Sequence, residues 1–396
     1  MKKVCVVTGS RADYGLLRCV MSGLRDSERC DLQIVATGMH LASEFGYTWR
    51  SIEADGFDID WKVEMLLGAD TAVAVTKSVG LAITGFADAF AALQPDLVVL
   101  LGDRFEIFAA ASSATLAGIP IAHLHGGEIT EGSVDDTIRH AITKMSSLHF
   151  TAAEAYRQRV IQLGEAPDTV WNVGGFGVDS ALQTPLMARA EVEEQLGISL
   201  SEPVLLITFH PETGHVNTDA HAQMSELLAA LQAVDATLVF TLPNADVGGR
   251  AVFDLINVFV ADNPARACAR ASLGQRLYLS VLALSAGVVG NSSSGLLEAP
   301  ALGVGTVNIG SRQRGRLKAA SVIDCAAERG AIREAIALLI NPETRARNRS
   351  GIQNPYGQGG AAERTVAVLE QWEPQCGNKL FYDLNVISEE MGRVAV

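Results

Sequence analysis

The chain repeats one pattern: a short apolar run, a cluster of polar residues, then an amphipathic stretch. Val4–Val7, Leu32–Ala36, Leu97–Leu101, Ile119–Ala122 and Val170–Val173 are such runs, with helical segments such as Phe105–Leu116 and Thr137–Met145 between them. Strands covered on both faces read as near-continuous apolar runs, and parallel neighbours need crossovers long enough to hold a helix. The second half repeats the pattern, with strands expected at Val204–Phe209, Leu238–Thr241, Val288–Gly290 and Thr306–Ile309, and a helix over Ala220–Ala233. The expected fold is therefore α/β: two Rossmann-like domains facing a cleft. Gly174–Gly177 (GGFG) and the polar run to about Arg189 mark the boundary. This gives an N-terminal domain over 1–177, a C-terminal domain over 178–370 and a terminal segment over 371–396.

Polar residues collect just after the strands. GSRADYG (9–15), GDRFE (102–106) and HLHGGE (123–128) do so in the first half. HPET (210–213), PNAD (243–246), GNSSSG (290–295) and GSRQRGR (310–316) do so in the second. Open parallel sheets bind ligands outside the carboxyl ends of their strands, so these clusters mark a binding region.

Lys+Arg total 31 and Asp+Glu 45, a formal charge of −14 that argues against nucleic acid or an anionic membrane as partner. No apolar stretch is expected to approach the roughly 20 residues needed to span a bilayer. The six cysteines include no C-x-x-C pair, which points to incidental thiols in a cytoplasmic protein. Neither a Walker sequence nor G-x-G-x-x-G occurs. Three serines ahead of the helix-like LLEAPAL suit an anion, because a helix start presents free N–H groups and partial positive charge. A plain N-cap is the alternative. Arg11, Arg104, Arg312, Arg314 and Arg316 lie in other strand-end loops, as counter-charges for a diphosphate. Glu298, one turn past the serines, suits ribose hydroxyls.

The acidic end lies in HLHGGEITEGSVDD (123–136). Three readings stand. His123 and His125 share a strand face and with Glu128 could ligate a metal. His123 could instead be a strand histidine bonded to backbone. Asp103, Glu128 and Asp135 with a histidine could share proton transfers.

Taken in order, GSRADYG, TGMHL, FGYTWRSIE, LGDRFE, HLHGGE, DDTIRHAITKMS, RVIQLGE, HPET, GNSSSGLLE and NIGSRQRGR resemble the blocks of the hydrolysing UDP-N-acetylglucosamine 2-epimerases. The bacterial sialic-acid pathway type is the nearest match, close to the UDP-N,N'-diacetylbacillosamine 2-epimerases. The resemblance spans most of the chain. It implies a glycosyltransferase-B type fold with UDP held mainly by the C-terminal domain. Ser292 and Ser293 match the serines on the diphosphate, and Glu298 the glutamate on the ribose. Arg11, Asp13, Arg104, Arg139, His210, Asn244 and Arg312 match other substrate-lining positions. Asp103, Glu128 and Asp135 match acidic positions around the sugar and are the expected acid/base groups, with His125 a fourth. In the mammalian members Glu stands where this chain has His125, so the identity of the base does not carry over. The terminal segment, including LFYDL (380–384), is expected to pack back on the first domain.

The implied reaction converts UDP-GlcNAc and water to ManNAc and UDP, by elimination to 2-acetamidoglucal followed by hydration. No cofactor and no metal are expected, and the family implies a homodimer or homotetramer. The rival substrate is UDP-diacetylbacillosamine, for legionaminic acid in place of sialic acid. A non-hydrolysing epimerase would resemble HVEAGLR at the HLHGGE position, a glycosyltransferase would need an acceptor sugar, and an inactive UDP-sugar sensor would bind without turnover.

Overall fold

A computed structural model describes residues 1–69, 71–131, 133–210, 220–241, 249–270, 273–373 and 379–384. The chain divides into two compact units. The first comprises Met1–Glu128, Val134–Phe176 and Gly359–Val396, the second Ile129–Ser133 and Gly177–Gln358.

The first unit is built on a parallel sheet of β1 (Lys2–Thr8), β2 (Cys30–Thr37), β3 (Trp61–Val63), β4 (Leu97–Leu101), β5 (Ile121–Leu124), β6 (Leu148–Thr151) and β7 (Val170–Asn172). Its order is β3-β2-β1-β4-β5-β6-β7. β1 is an interior strand, with Val4, Val6 and the helix residues Leu17 and Met21 in one core layer, and Cys5 and Val7 in the opposite one with Phe86 and Ile107. The alternation along β1 thus feeds both faces of the sheet, which is why the run is unbroken.

The second unit repeats the plan with β8 (Val204–Thr208), β9 (Thr237–Thr241), β10 (Ala267–Arg270), β11 (Gly287–Gly290), β12 (Thr306–Ile309) and β13 (Val322–Cys325). Its order is β10-β9-β8-β11-β12-β13. In each unit the strand order reverses beside the first strand: between β1 and β4, and between β8 and β11. These are topological switch points, where the loops diverge and leave room for a ligand.

Two expectations need correction. Ala361–Gln371, expected in the second domain, is a helix of the first unit. Ala361, Ala362, Val366 and Leu369 join the core around Leu17 and Val20, and Gly23 clears space for Val366. Second, one helix among the described residues is long and apolar enough to span a bilayer by length and composition: Ala72–Leu93, 22 residues with an 18-residue window of mean hydropathy 1.3. Lys77, Asp88 and its threonines conceal that length in the sequence. Here its Ala82, Phe86 and Phe90 pack into the core of the first unit.

The last described segment also lies on the first unit. Tyr382 N–H donates to the Gly164 carbonyl at 3.0 Å, and Tyr382 and Leu384 cover Val160 and Val170. Lys379 Nζ reaches the carbonyls of Lys144 and Ser146 and the buried Glu165 carboxylate, each at 2.7 Å.

Candidate active site

The first unit gathers its polar residues at the carboxyl ends of β1, β4 and β5. The centre of the cluster is Arg139, on the helix Val134–Met145, and only 1% of it is exposed. Its guanidinium pairs with Asp103, donates to the Glu128 carbonyl at 2.9 Å and reaches Asp136 Oδ1 at 3.3 Å. The fork of a guanidinium suits several acceptors at fixed angles. Arg139 was expected to contact substrate; the structure places it as a buried bracket tying the loop after β4 to the loop after β5.

His123 and His125 have separate fates. His123 is buried within β5, with Nε2 2.8 Å from the Gly102 carbonyl and Nδ1 3.1 Å from Thr143 Oγ1. A carbonyl only accepts, so Nε2 carries the proton and Nδ1 takes the threonine hydroxyl. Burial holds this ring neutral, with its pKa down at about 3. Both nitrogens are engaged, so His123 has no lone pair for a metal, and the backbone-bonded reading is the one the structure takes.

His125 lies just past the strand end, at φ 64°. That left-handed turn breaks the alternation that would have put both rings on one face. The ring stacks on Phe176, with centroids 5.2 Å apart. Its Nε2 accepts the Phe176 N–H at 3.3 Å, so Nδ1 carries the proton of the neutral ring. Nδ1 lies 3.2 Å from Glu128 Oε1, and Glu128 is 2% exposed. The pair meets at this distance without the alignment of a hydrogen bond, so a carboxylate lies beside a ring fixed from behind, an arrangement that can handle protons. Asp135 opens the helix Val134–Met145, where a carboxylate meets the positive end of the helix dipole.

On the other side of the switch point, Arg11 and Asp13 begin the helix Arg11–Arg25, which Ser10 caps. Burial lowers the pKa of Arg11. Arg104 Nε donates to Glu106 Oε1 at 2.7 Å.

In the second unit the hub is Asn291, fully buried directly after β11. Its side chain brackets the backbone of His210: Oδ1 accepts the His210 N–H at 2.7 Å and Nδ2 donates to its carbonyl at 2.8 Å. Its carbonyl accepts from Arg312 Nη1 at 3.0 Å and Gln313 Nε2 at 2.8 Å. One asparagine therefore fixes residues after β8, β11 and β12. The preceding Gly290 sits at φ 145°, and a Cβ there would overlap the Thr208 carbonyl oxygen. His210 is buried, and burial followed by the charge of Arg312 lowers its pKa to about 3, so it stays neutral.

The helix Ser294–Ala301 begins where the serines end. Ser293 occupies the N-cap position but its side chain makes no capping bond, so the plain capping explanation fails for that hydroxyl. Ser292 Oγ accepts the Ser294 N–H at 3.4 Å. Glu298 lies on this helix, where Gly177 leaves room for its carboxyl group: a Cβ at Gly177 would stand 3.0 Å from Glu298 Cδ.

Arg11, Asp13, Asp103, Arg104, His125, Glu128, Asp135 and Arg139 thus lie at the carboxyl edge of the first sheet. His210, Ser292, Ser293, Glu298 and Arg312 lie at that of the second. Asn244 falls outside the described residues. Sequence reasoning missed Asn291, Gln313 and Glu106. Each stood inside a motif already singled out, but side chains that hold other side chains carry no signature of their own.

A chain with two such sheets, and these residues at their switch points, belongs to a recognisable class of nucleotide-sugar enzyme. The sequence model for UDP-N-acetylglucosamine 2-epimerase matches residues 22–370, and the chain belongs to that family. It is 39% identical to the GDP/UDP-N,N'-diacetylbacillosamine 2-epimerase (hydrolyzing) of Campylobacter jejuni, covering 82% of this chain and 84% of that one. It is 37% identical to polysialic acid biosynthesis protein P7 of Escherichia coli, covering 97% and 98%. It is 35% identical to the UDP-N,N'-diacetylbacillosamine 2-epimerase (hydrolyzing) of Legionella pneumophila, covering 93% and 96%. Among solved structures, the UDP-GlcNAc 2-epimerase of Neisseria meningitidis bound to UDP-GlcNAc superposes with TM-score 0.78 at 17% identity, covering 93% of this chain and all of that one. The glycosyltransferase-B type fold is common to both.

Proposed function

We propose that the chain is a hydrolysing 2-epimerase that converts UDP-GlcNAc and water to ManNAc and UDP. The observation that carries this is buried Arg139, which pairs with Asp103 and holds the Glu128 carbonyl, beside a His125 ring whose Nδ1 lies 3.2 Å from the Glu128 carboxylate. It holds oriented acid/base groups where a Rossmann sheet binds ligands. The names of the Campylobacter and Legionella relatives support the hydrolysing form.

C2–H of the sugar is a weak carbon acid, so its removal must accompany departure of the nucleotide. In the second unit, Ser292, Ser293, Arg312 and the N-terminus of the helix Ser294–Ala301 stabilise the charge growing on the diphosphate, and Glu298 takes the ribose hydroxyls. Neutral His210 adds a hydrogen-bonding ring without a charge. In the first unit, Asp103, Glu128, Asp135 and His125 handle protons. Water then adds to the 2-acetamidoglucal, and a proton reaches C2 from the opposite face, which inverts that centre.

A second substrate has its own support. The Campylobacter and Legionella relatives are named for the diacetylbacillosamine nucleotide, whereas the Escherichia relative, matched over nearly its whole length, is named for polysialic acid synthesis. Incubating each UDP-sugar with the enzyme in D2O, followed by NMR, separates them. Free UDP and ManNAc deuterated at C2 support the first reading. Turnover of the diacetylbacillosamine nucleotide alone moves the assignment to the second, and UDP-sugar binding without turnover would indicate a sensor. Asp103→Asn and Glu128→Gln should each lower kcat at least 100-fold with UDP affinity unchanged; full activity in both removes the acid/base assignment.

A further inference from the structure

The loop after β1 contains a buried carboxyl group that the reading above treats only as a substrate contact. Asp13 is the third residue of the helix Arg11–Arg25, and its backbone N–H is capped by Ser10 Oγ at 3.3 Å. Only 7% of Asp13 is exposed, and among the described residues its Oδ2 has no hydrogen-bond partner. A carboxylate in the first turn of a helix ordinarily faces water. One that is buried with an oxygen left unpartnered calls for an explanation, because buried polar atoms are nearly always satisfied.

The loop after β4 supplies its surroundings. Glu106 is fully buried, and its Oε2 is likewise without a partner among the described residues. A Cβ at Gly9 would overlap Glu106 Cγ, and one at Gly38 would stand 3.5 Å from Glu106 Oε1. Gly9 thus clears the space this side chain fills, and Gly38 lies in contact with it. Its other oxygen, Oε1, holds Arg104 Nε at 2.7 Å. The groups acting on Asp13 are therefore Ser10 from its own helix start and Arg104, Glu106 and Asp103 from the loop after β4. Burial raises Asp13, Arg104 opposes it, Glu106 and Asp103 add to it, and the balance stands at about 6.

We propose that Asp13 is a general base of the elimination step, with Arg104 and Glu106 as its positioning partners. The proposal rests on the hydrolysing-epimerase reading. Asp13 Oδ2 takes the C2 hydrogen as a proton, and the C2–H electron pair becomes the second bond between C1 and C2. The C1–O bond breaks with its pair going to the β-phosphate oxygen of UDP. Neutral Asp13 then loses its proton to water before the next turnover. Asp103 already takes a hydrogen bond from Arg139; buried Asp13 Oδ2 has no hydrogen-bond partner among the described residues. A weak carbon acid calls for a base that is ionised near neutral pH yet as basic as that allows.

The test is the pH dependence of kcat/KM for UDP release by the full chain, between pH 5 and 9. The wild type should lose activity as pH falls through about 6, where Asp13 takes up its proton. Asp13→Asn should lower kcat at least 100-fold, keep UDP affinity within threefold and lack that acid limb. Asp13→Glu should restore part of the rate. Glu106→Gln removes a negative neighbour, so its acid limb should move to lower pH, a readout that general loosening of the fold would not give. An acid limb unchanged in Asp13→Asn, or a kcat within threefold of wild type, overturns the assignment. If the wild type releases no UDP from either sugar, the reaction reading itself fails and this base fails with it. That outcome is distinct from an active wild type insensitive to Asp13.

Discussion

Replacing Arg139 with methionine tests whether the acid/base cluster is assembled by one buried guanidinium. Methionine roughly fills the volume without the charge, and leaves Asp103, Asp136 and the Glu128 carbonyl without their common donor. Losing one partner of a fully buried pair costs about 3–5 kcal/mol. Here the Asp103 side chain is 21% exposed and that of Asp136 27%, so water recovers part of that and about 3 kcal/mol is the working figure. The four tryptophans, Trp49, Trp61, Trp171 and Trp372, all fall in the first unit, so tryptophan fluorescence follows its unfolding selectively. For a unit of roughly 200 residues that cost lowers the melting temperature by about 6–12 °C. Combining Arg139→Met with Asp103→Asn should cost less than the sum of the two, by about 1–3 kcal/mol, because the second change removes a partner already lost. kcat should fall about 100-fold through misplacement of Asp103 and Glu128, while UDP affinity, assigned to the second unit, holds. An unchanged fluorescence melt, or strictly additive single and double variants, would refute the bracket.

Other tests follow from single contacts. Burial pushes the Glu165 carboxyl up, but hydrogen bonds from His149, Lys144 and Lys379 outweigh it and hold the pKa at about 2. A lowered carboxylate stabilises above its unfolded pKa and loses that contribution as pH falls toward the folded one. Glu165→Gln should therefore melt lower than wild type at pH 7, by on the order of 2 kcal/mol, with the gap closing as pH falls from about 5 toward 3; a gap independent of pH sinks the account. Gly290→Ala forces a Cβ onto the Thr208 carbonyl at an unfavourable φ, so it should lose at least about 3 kcal/mol and UDP binding together; soluble protein with wild-type UDP affinity would contradict this. Activity should survive EDTA, and a complete, reversible loss would reopen the metal reading of the two histidines.

Most of the sheet was legible because a central parallel strand is apolar on both faces. Leu97–Leu101 and Thr306–Ile309 match β4 and β12 residue for residue. Several short strands were not legible. β6 (LHFT) and β10 (ACAR) are four residues long with a histidine or an arginine among them, yet His149 is buried through its bond to Glu165. β5 starts after Pro120, which has no N–H to give, and runs two residues past the apolar run, through His123 to Leu124. The motif-borne residues could be found because loops at a switch point must be polar to meet a ligand. Asn291 and Gln313 could not be ranked, since the bonds that show their importance are to groups distant in sequence.

His123 and His125 show where residue type stops being informative. They are identical side chains two positions apart, and alternation alone would make them equivalent. One backbone angle separates them. Within β5, His123 finds a carbonyl and a hydroxyl, and burial keeps it neutral down to about pH 3. One residue past the strand end, the left-handed turn at His125 swings its ring onto Phe176 and brings Nδ1 to Glu128. Non-glycine residues at such angles are uncommon and cluster where function demands them. Replacing His125 by asparagine, which tolerates the same turn, would keep the loop while removing the ring. If Glu128 needs that ring to orient its carboxyl group, His125→Asn should keep the wild-type melt but lose kcat. Loss of both together would make His125 a residue of the fold rather than of the chemistry.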